Sequence, residues 1–219
     1  MWDNIDLQCF INDANKKIGQ INLNSEFGIE LYNLAKNINY TIFLEVGTWN
    51  GLGSTACIYN GLKDRNDYFS FYSLETNKEK LDFAKKLYND NRITFLNETL
   101  LNIVPTYEDV ANTLGNNIEK KWYDIDYENL KNSSYFFDKR NINMFDVILL
   151  DGGEYHTYFE YLNIKDKTKI ICLDDVNTMK CNKIYNELVN DPGWELYKGN
   201  LNDRNGWAIF KKLIDWPYK

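Results

Sequence analysis

The chain has 219 residues, 44% hydrophobic and 26% charged, the profile of a globular protein with enough length for a sizeable core. Its formal net charge of −7 works against phosphate backbones, so nucleic acid is not expected as a partner. No apolar run reaches the roughly 18 residues of a membrane span, and the opening MWDNIDLQCF lacks the basic start and apolar block of a signal peptide, so no membrane partner and a cytoplasmic location are expected.

In chain order, SEFGIELYNLAKN (25–37) carries apolar residues at helical spacing behind a serine cap, within an N-terminal helical segment expected over residues 1–40. TIFLEV (41–46) reads as a buried strand, with a helix following from about Gly53 to Leu62. YFSFYSL (68–74) reads as a second strand, NKEKLDFAKKLY (77–88) as an amphipathic helix and RITFL (92–96) as a third strand. FDVILLD (145–151) and KIICLDD (169–175) are the fourth and fifth strands. Residues 178–190 read as a helix ended by Pro192 and Gly193, and WELYK (194–198) with GWAIFKK (206–212) as a closing hairpin. Strands alternating with helices argue for one α/β domain over residues 1–219, with a doubly wound parallel sheet and the hairpin adding an antiparallel strand.

Residues 105–144 break the rhythm. They are rich in aromatic and acidic residues and too long for an ordinary connection, which marks an insertion that is a lid or an interaction surface, or else a helical packing face. The cysteines Cys9, Cys57, Cys172 and Cys181 form no C-x-x-C pair; Cys57 and Cys172 sit in apolar runs and read as buried thiols.

FLEVGTWNGLGST (43–55) ends a strand in Glu45 and breaks into a loop with Gly47, Gly51 and Gly53. Glycines there let the chain turn sharply and leave room for a ligand lying on the loop, at the strand ends where doubly wound sheets bind ligands. The spacing matches neither G-x-G-x-x-G nor a P-loop. The pattern E-x-G-x-x-x-G resembles the first motif of class I S-adenosylmethionine-dependent methyltransferases, and the likeness spans roughly residues 41–212. It implies a Rossmann-like, mainly parallel seven-stranded sheet and S-adenosylmethionine as cofactor. It implies further that Gly47, Thr48, Gly51 and Ser54 hold the methionine part, with Glu45 near its ammonium. Glu75, in YSLETN (72–77), would accept both ribose hydroxyls, and Glu98 or Thr99, in NET (97–99), would contact adenine.

The second informative stretch is VILLDGGEYHTYFEY (147–161), where Asp151 ends a strand and His156, the single histidine, follows five residues later. The next strand delivers Asp174 and Asp175 in LDDVN (173–177). Three aspartates at adjacent strand ends repel unless something positive sits among them, and a hard divalent cation such as magnesium suits their oxygens. The arrangement resembles metal-dependent O-methyltransferases of the catechol and macrocin types. That likeness implies Asp151, Asp174 and Asp175 as metal ligands and a base in a D-G-x-H segment. Here the segment reads D-G-G-E-Y-H, which leaves the base open between Glu154 and His156. The implied reaction moves a methyl group to a hydroxyl of a sugar or glycan. The alternatives are a catechol-like small-molecule acceptor and a non-catalytic cofactor-binding subunit; homo-oligomer formation is left open.

Overall fold

The computed structural model describes residues 19–213. Residues 1–18 of the expected N-terminal helical segment, Cys9 among them, lie outside that range. Helix α1 (Glu26–Lys36) begins where expected: Ser25 Oγ accepts from the Gly28 amide at 3.1 Å, with Glu26 in the first turn and Lys36 in the last complementing the helix dipole. Strand β1 (Ile42–Val46), helix α2 (Ser54–Leu62), strand β2 (Ser70–Leu74), helix α3 (Lys78–Ala84) and strand β3 (Ile93–Leu96) follow. Helix α3 is shorter than its periodicity suggests. Its continuation tightens into i−3 bonds, Lys86 to Phe83 at 3.0 Å and Leu87 to Ala84 at 2.9 Å, which turns Tyr88 inward so that its hydroxyl reaches the Gly51 carbonyl.

The long segment before the fourth large strand is folded. It holds β4 (Glu98–Thr99), α4 (Tyr107–Leu114), α5 (Lys120–Lys131) and β5 (Ser134–Tyr135), the two short strands pairing in parallel. Helix α4 opens on a reciprocal cap between Thr106 and Asp109. Strand β6 (Phe145–Leu150), helix α6 (Thr157–Ile164), strand β7 (Thr168–Asp174), helix α7 (Asn182–Asn190) and the hairpin β8 (Trp194–Asn200) and β9 (Trp207–Lys212) complete the described chain. Helix α6 escaped the sequence reading.

The seven-stranded sheet runs β3-β2-β1-β6-β7-β9-β8, with β9 antiparallel to both neighbours and the remaining pairings parallel. Side chains alternate across it. Leu44, Val46, Ile148, Leu150, Ile171 and Leu173 face α6 and α7, whereas Phe43, Val147, Leu149, Ile170 and Cys172 face α1 and α2. That alternation explains why β6 and β7 read as continuous apolar runs: both faces are covered. Cys57, Cys172 and Cys181 are buried free thiols. No helix among the described residues is long and apolar enough to cross a membrane.

At the amino edge of the sheet, buried Asp146 ties β1 to β6 and β7. One oxygen accepts from the Thr41 amide at 2.7 Å and the Ile42 amide at 3.0 Å; the other accepts from Lys169 Nζ at 2.6 Å. Burial alone raises its pKa, but these donors outweigh it and hold the carboxyl below its usual range. We predict that Asp146→Ala lowers unfolding free energy by about 2 kcal/mol near pH 7, because two amides lose their partner. A depressed carboxylate stabilises above its unfolded pKa and loses that contribution as pH falls through the folded value. The gap between wild type and variant in urea unfolding therefore narrows on acidification; a gap independent of pH contradicts this.

Candidate active site

Strand order reverses at β1: the chain builds outward to β2 and β3 on one side and to β6 and β7 on the other. Doubly wound sheets bind ligands at such a point, at the carboxyl ends of the strands. A cavity of about 640 Å³ opens there. Of the residues singled out from sequence, Gly47, Thr48, Ser54, Glu75, Glu98, Asp151, His156, Asp174 and Asp175 line it. Glu45, Gly51, Thr99 and Glu154 are not among the lining residues.

The loop after β1 explains part of that division. Gly47 has φ +98°, and its amide and that of Thr48 both donate to the Leu74 carbonyl, at 2.9 and 3.0 Å. A Cβ on Gly47 would sit 2.1 Å from the Asp151 carbonyl oxygen, so the β1 and β6 ends can approach this closely only over glycine. Gly51 also has positive φ, but a Cβ there would meet Ala84 Cβ at 3.0 Å and the Tyr88 ring at 3.2 Å. The crowding at Gly51 comes from α3 and its following turn. Glu45 lies fully buried beneath the loop, accepting from Ser54 Oγ at 2.6 Å, Thr55 Oγ1 at 2.7 Å and Ser73 Oγ at 2.6 Å. Burial pushes its pKa up to about 7 against those three hydroxyls. These bonds fasten α2 and β2 to the end of β1.

Glu75 ends β2 at the cavity wall. One oxygen accepts from the Trp49 amide at 2.6 Å and the other from the Asn77 amide at 2.8 Å, which orients the carboxylate and leaves each oxygen further acceptor capacity. Trp49 takes φ +50° to make its bond, and Lys80 lies 5.7 Å over its ring. Glu98 also lines the cavity but pairs with Arg140. Thr99 is buried and its hydroxyl donates to Glu160 Oε1 at 2.8 Å.

Asp151, Asp174 and Asp175 converge, one oxygen from each falling within 4.8 Å of the others. The chain also supplies the positive charge that such convergence requires. Lys180 Nζ lies 2.7 Å from Asp151 Oδ1 and 2.5 Å from Asp175 Oδ2, and Arg204 pairs with Asp174. Burial and its neighbouring carboxylate push Asp174 up to about 7, whereas Lys180 and Asn205 outweigh burial and hold Asp175 below its usual range.

His156 is 1% exposed, and neither ring nitrogen has a hydrogen-bond partner. The imidazole stacks on Tyr123 at 5.3 Å, and the Pro105 carbonyl, which accepts from the Tyr123 hydroxyl at 3.0 Å, opposes the burial of the ring only in part. Burial pushes the His156 pKa down to about 4, so the ring is neutral at pH 7. Between the two residues left open for the base, His156 is the one at the cavity wall. Helix α5 closes the opposite side with Trp122, Ile125, Asp126, Asn129 and Leu130, a face at helical spacing. The segment over 105–144 thus both packs and covers the cavity.

No protein-family model matches the sequence, and no curated protein matches it closely enough to count as a relative. Solved structures do match in fold. An O-methyltransferase from Bacillus cereus in complex with S-adenosylhomocysteine (SAH) is 13% identical with a TM-score of 0.54, covering 89% of this chain and 84% of that one. The SAH-bound methyltransferase PaMTH1 of Podospora anserina is 15% identical with a TM-score of 0.52, covering 84% and 77%. The O-methyltransferase TomG of Streptomyces achromogenes, in complex with S-adenosylmethionine, is 12% identical with a TM-score of 0.51, covering 84% and 78%. The chain has the class I methyltransferase fold.

Charged residues at this methyltransferase-fold site that were not found from sequence include Glu160, Asp126, Lys80, Lys180 and Arg204. Glu160 lies four residues after His156, so reading α6 as a helix would have put both on one face. Asp126 belongs to the α5 face that begins at Trp122. Burial pushes Glu160 up to about 7 and Asp126 up to about 6. Lys180 and Arg204 come from turns, where periodicity carries no signal.

Because His156 is the chain's single histidine, an untagged sample gives one pair of imidazole carbon-bound proton signals in NMR. Its depressed pKa predicts no titration of those signals between pH 7 and pH 5. A midpoint near the ordinary histidine value contradicts the burial described above.

Proposed function

We propose that the chain is an S-adenosylmethionine-dependent O-methyltransferase acting on a hydroxyl of a sugar or glycan. The observation that carries this reading is that one cavity at the sheet's switch point is lined by the Gly47–Thr48 turn, the oriented Glu75 carboxylate, the aspartate cluster and unpartnered His156. The residues fit the cofactor: Glu75 keeps acceptor capacity on both oxygens for a vicinal diol, and the acid-rich wall suits a cation.

S-adenosylmethionine supplies the methyl group as an electrophilic sulfonium. The chain has to hold an acceptor hydroxyl in line with it, at reacting distances of about 3–3.5 Å. His156, the histidine at the cavity wall, would take the proton of an acceptor hydroxyl; both its ring nitrogens are buried, so the incoming acceptor has to reach one of them and offset the burial that disfavours imidazolium. Asp151 and Asp174 offer acceptors for the substrate's other hydroxyls. Trp122, half exposed at the mouth, offers an aromatic face for a sugar ring. The convergence of Asp151, Asp174 and Asp175 is what a divalent cation such as magnesium would require, but Lys180 and Arg204 already stand against these carboxylates.

The test is transfer of a tritiated methyl group from the cofactor to panels of glycosides and catechols. Transfer to glycosides is expected, with Trp122→Ala raising KM by about tenfold at little cost in kcat. Transfer confined to catechols overturns the sugar assignment. Cofactor binding with no transfer to either panel supports the non-catalytic subunit instead.

A further inference from the structure

The carboxylate cluster is already served by the chain. Of its six oxygens, Asp151 Oδ1 and Asp175 Oδ2 lie against Lys180 Nζ, Asp174 Oδ1 pairs with Arg204, and Asp175 Oδ1 accepts from Asn205 Nδ2 at 3.0 Å. Both oxygens of Asp175 are therefore engaged. Asp151 Oδ2 and Asp174 Oδ2 remain without a donor among the described residues. A magnesium or calcium ion takes six or more oxygens, and two free carboxylate oxygens leave it poorly held.

The cations are also built in. Asp175 takes φ +55° as β7 ends, Thr178 donates back to its carbonyl at 3.1 Å, and the Lys180 amide donates to Thr178 Oγ1 at 3.3 Å. Lys180 thereby points into the cluster, its side chain only 9% exposed. Arg204 comes from the β8–β9 turn, with φ +52°. The two turns are bonded to each other, Asn177 to Asn205 at 2.8 Å and Val176 to Gly206 at 3.1 Å, which places the backbone of both cations beside the site. Displacing a buried ammonium from two carboxylates is costly, because it breaks a buried charge pair and leaves charges uncompensated.

We propose that Lys180, backed by Arg204, is the resident cation of this site, holding the electrostatic place that a divalent metal takes in the O-methyltransferases the sequence resembles, so that no metal binds at Asp151, Asp174 and Asp175. Lys180 does not line the cavity, and it acts as a positioning residue for the aspartates that do. The inference rests on the methyl-transfer reading for its chemical meaning, but its test does not.

The experiment is a titration of Mn²⁺ into the full chain at neutral pH, followed by the paramagnetic resonance of the free ion, with SAH calorimetry on the same samples. Wild type is expected to show no saturable Mn²⁺ binding in the micromolar range. Lys180→Met, which leaves the carboxylates uncompensated, is expected to bind Mn²⁺ at least about tenfold more tightly, and Lys180→Arg, which keeps the charge, is expected to behave as wild type. Micromolar binding by wild type that Asp174→Asn abolishes overturns the proposal. So does a Lys180→Met protein that retains a wild-type thermal unfolding transition and gains no affinity. If Lys180→Met does not fold, the wild-type and Lys180→Arg titrations decide. Absence of SAH heat in wild type counts against the methyl-transfer reading and leaves the metal result standing.

Discussion

The close contact between the ends of β1 and β6 governs this site. The Asp151 amide donates to the Val46 carbonyl at 2.9 Å, and the Asp151 carbonyl lies where a Cβ of residue 47 would be. Glycine with positive φ is what allows both. Two consequences follow from one constraint. The loop of residues 47–53 is directed along the α2 side, and Glu45 fastens α2 and β2 to the end of β1 through three hydroxyls. Asp151 is directed toward the end of β7, where Asp174 and Asp175 join it. Glycine loop and acidic wall therefore share one cavity because two strands meet over a missing side chain.

The wall is acidic to a degree that costs free energy. Glu75, Asp126, Glu160, Asp151 and Asp174 all have pKa values raised chiefly by burial. Lys180 and Arg204 offset part of this charge but stand outside the cavity. What remains is an acid-rich enclosure facing whatever enters, with Lys80 also on its wall. On the proposed function, that favours a sulfonium over the neutral thioether left after transfer, so the same field that binds the methyl donor weakens the hold on the product.

Much of the fold was legible because the large strands and most helices have strong periodic signals: the apolar runs at 145–150 and 168–174 are buried on both faces, and Ser25 caps α1 as its position suggests. Strand ends then placed Glu75, Asp151, Asp174 and Asp175 at one edge, since parallel strands bring their carboxyl ends together. What the sequence hid was the surroundings of those residues. Nothing in E-x-G-x-x-x-G distinguishes a glycine crowded by Tyr88 from one crowded by a ligand. Lys180 and Arg204 reach the aspartates through turns with positive φ, set by contacts between distant turns. The α5 face was readable from its spacing, but only once residues 120–131 are taken as a helix.

The central claim is that this cavity holds S-adenosylmethionine through Glu75, and calorimetric titration of SAH tests it most directly. The account predicts one binding event per chain in wild type and an affinity loss of about tenfold or more in Glu75→Ala, the effect of losing hydrogen bonds to a charged acceptor. A wild-type protein that releases no heat with SAH at high protein concentration, or a Glu75→Ala protein that binds as well as wild type, contradicts it.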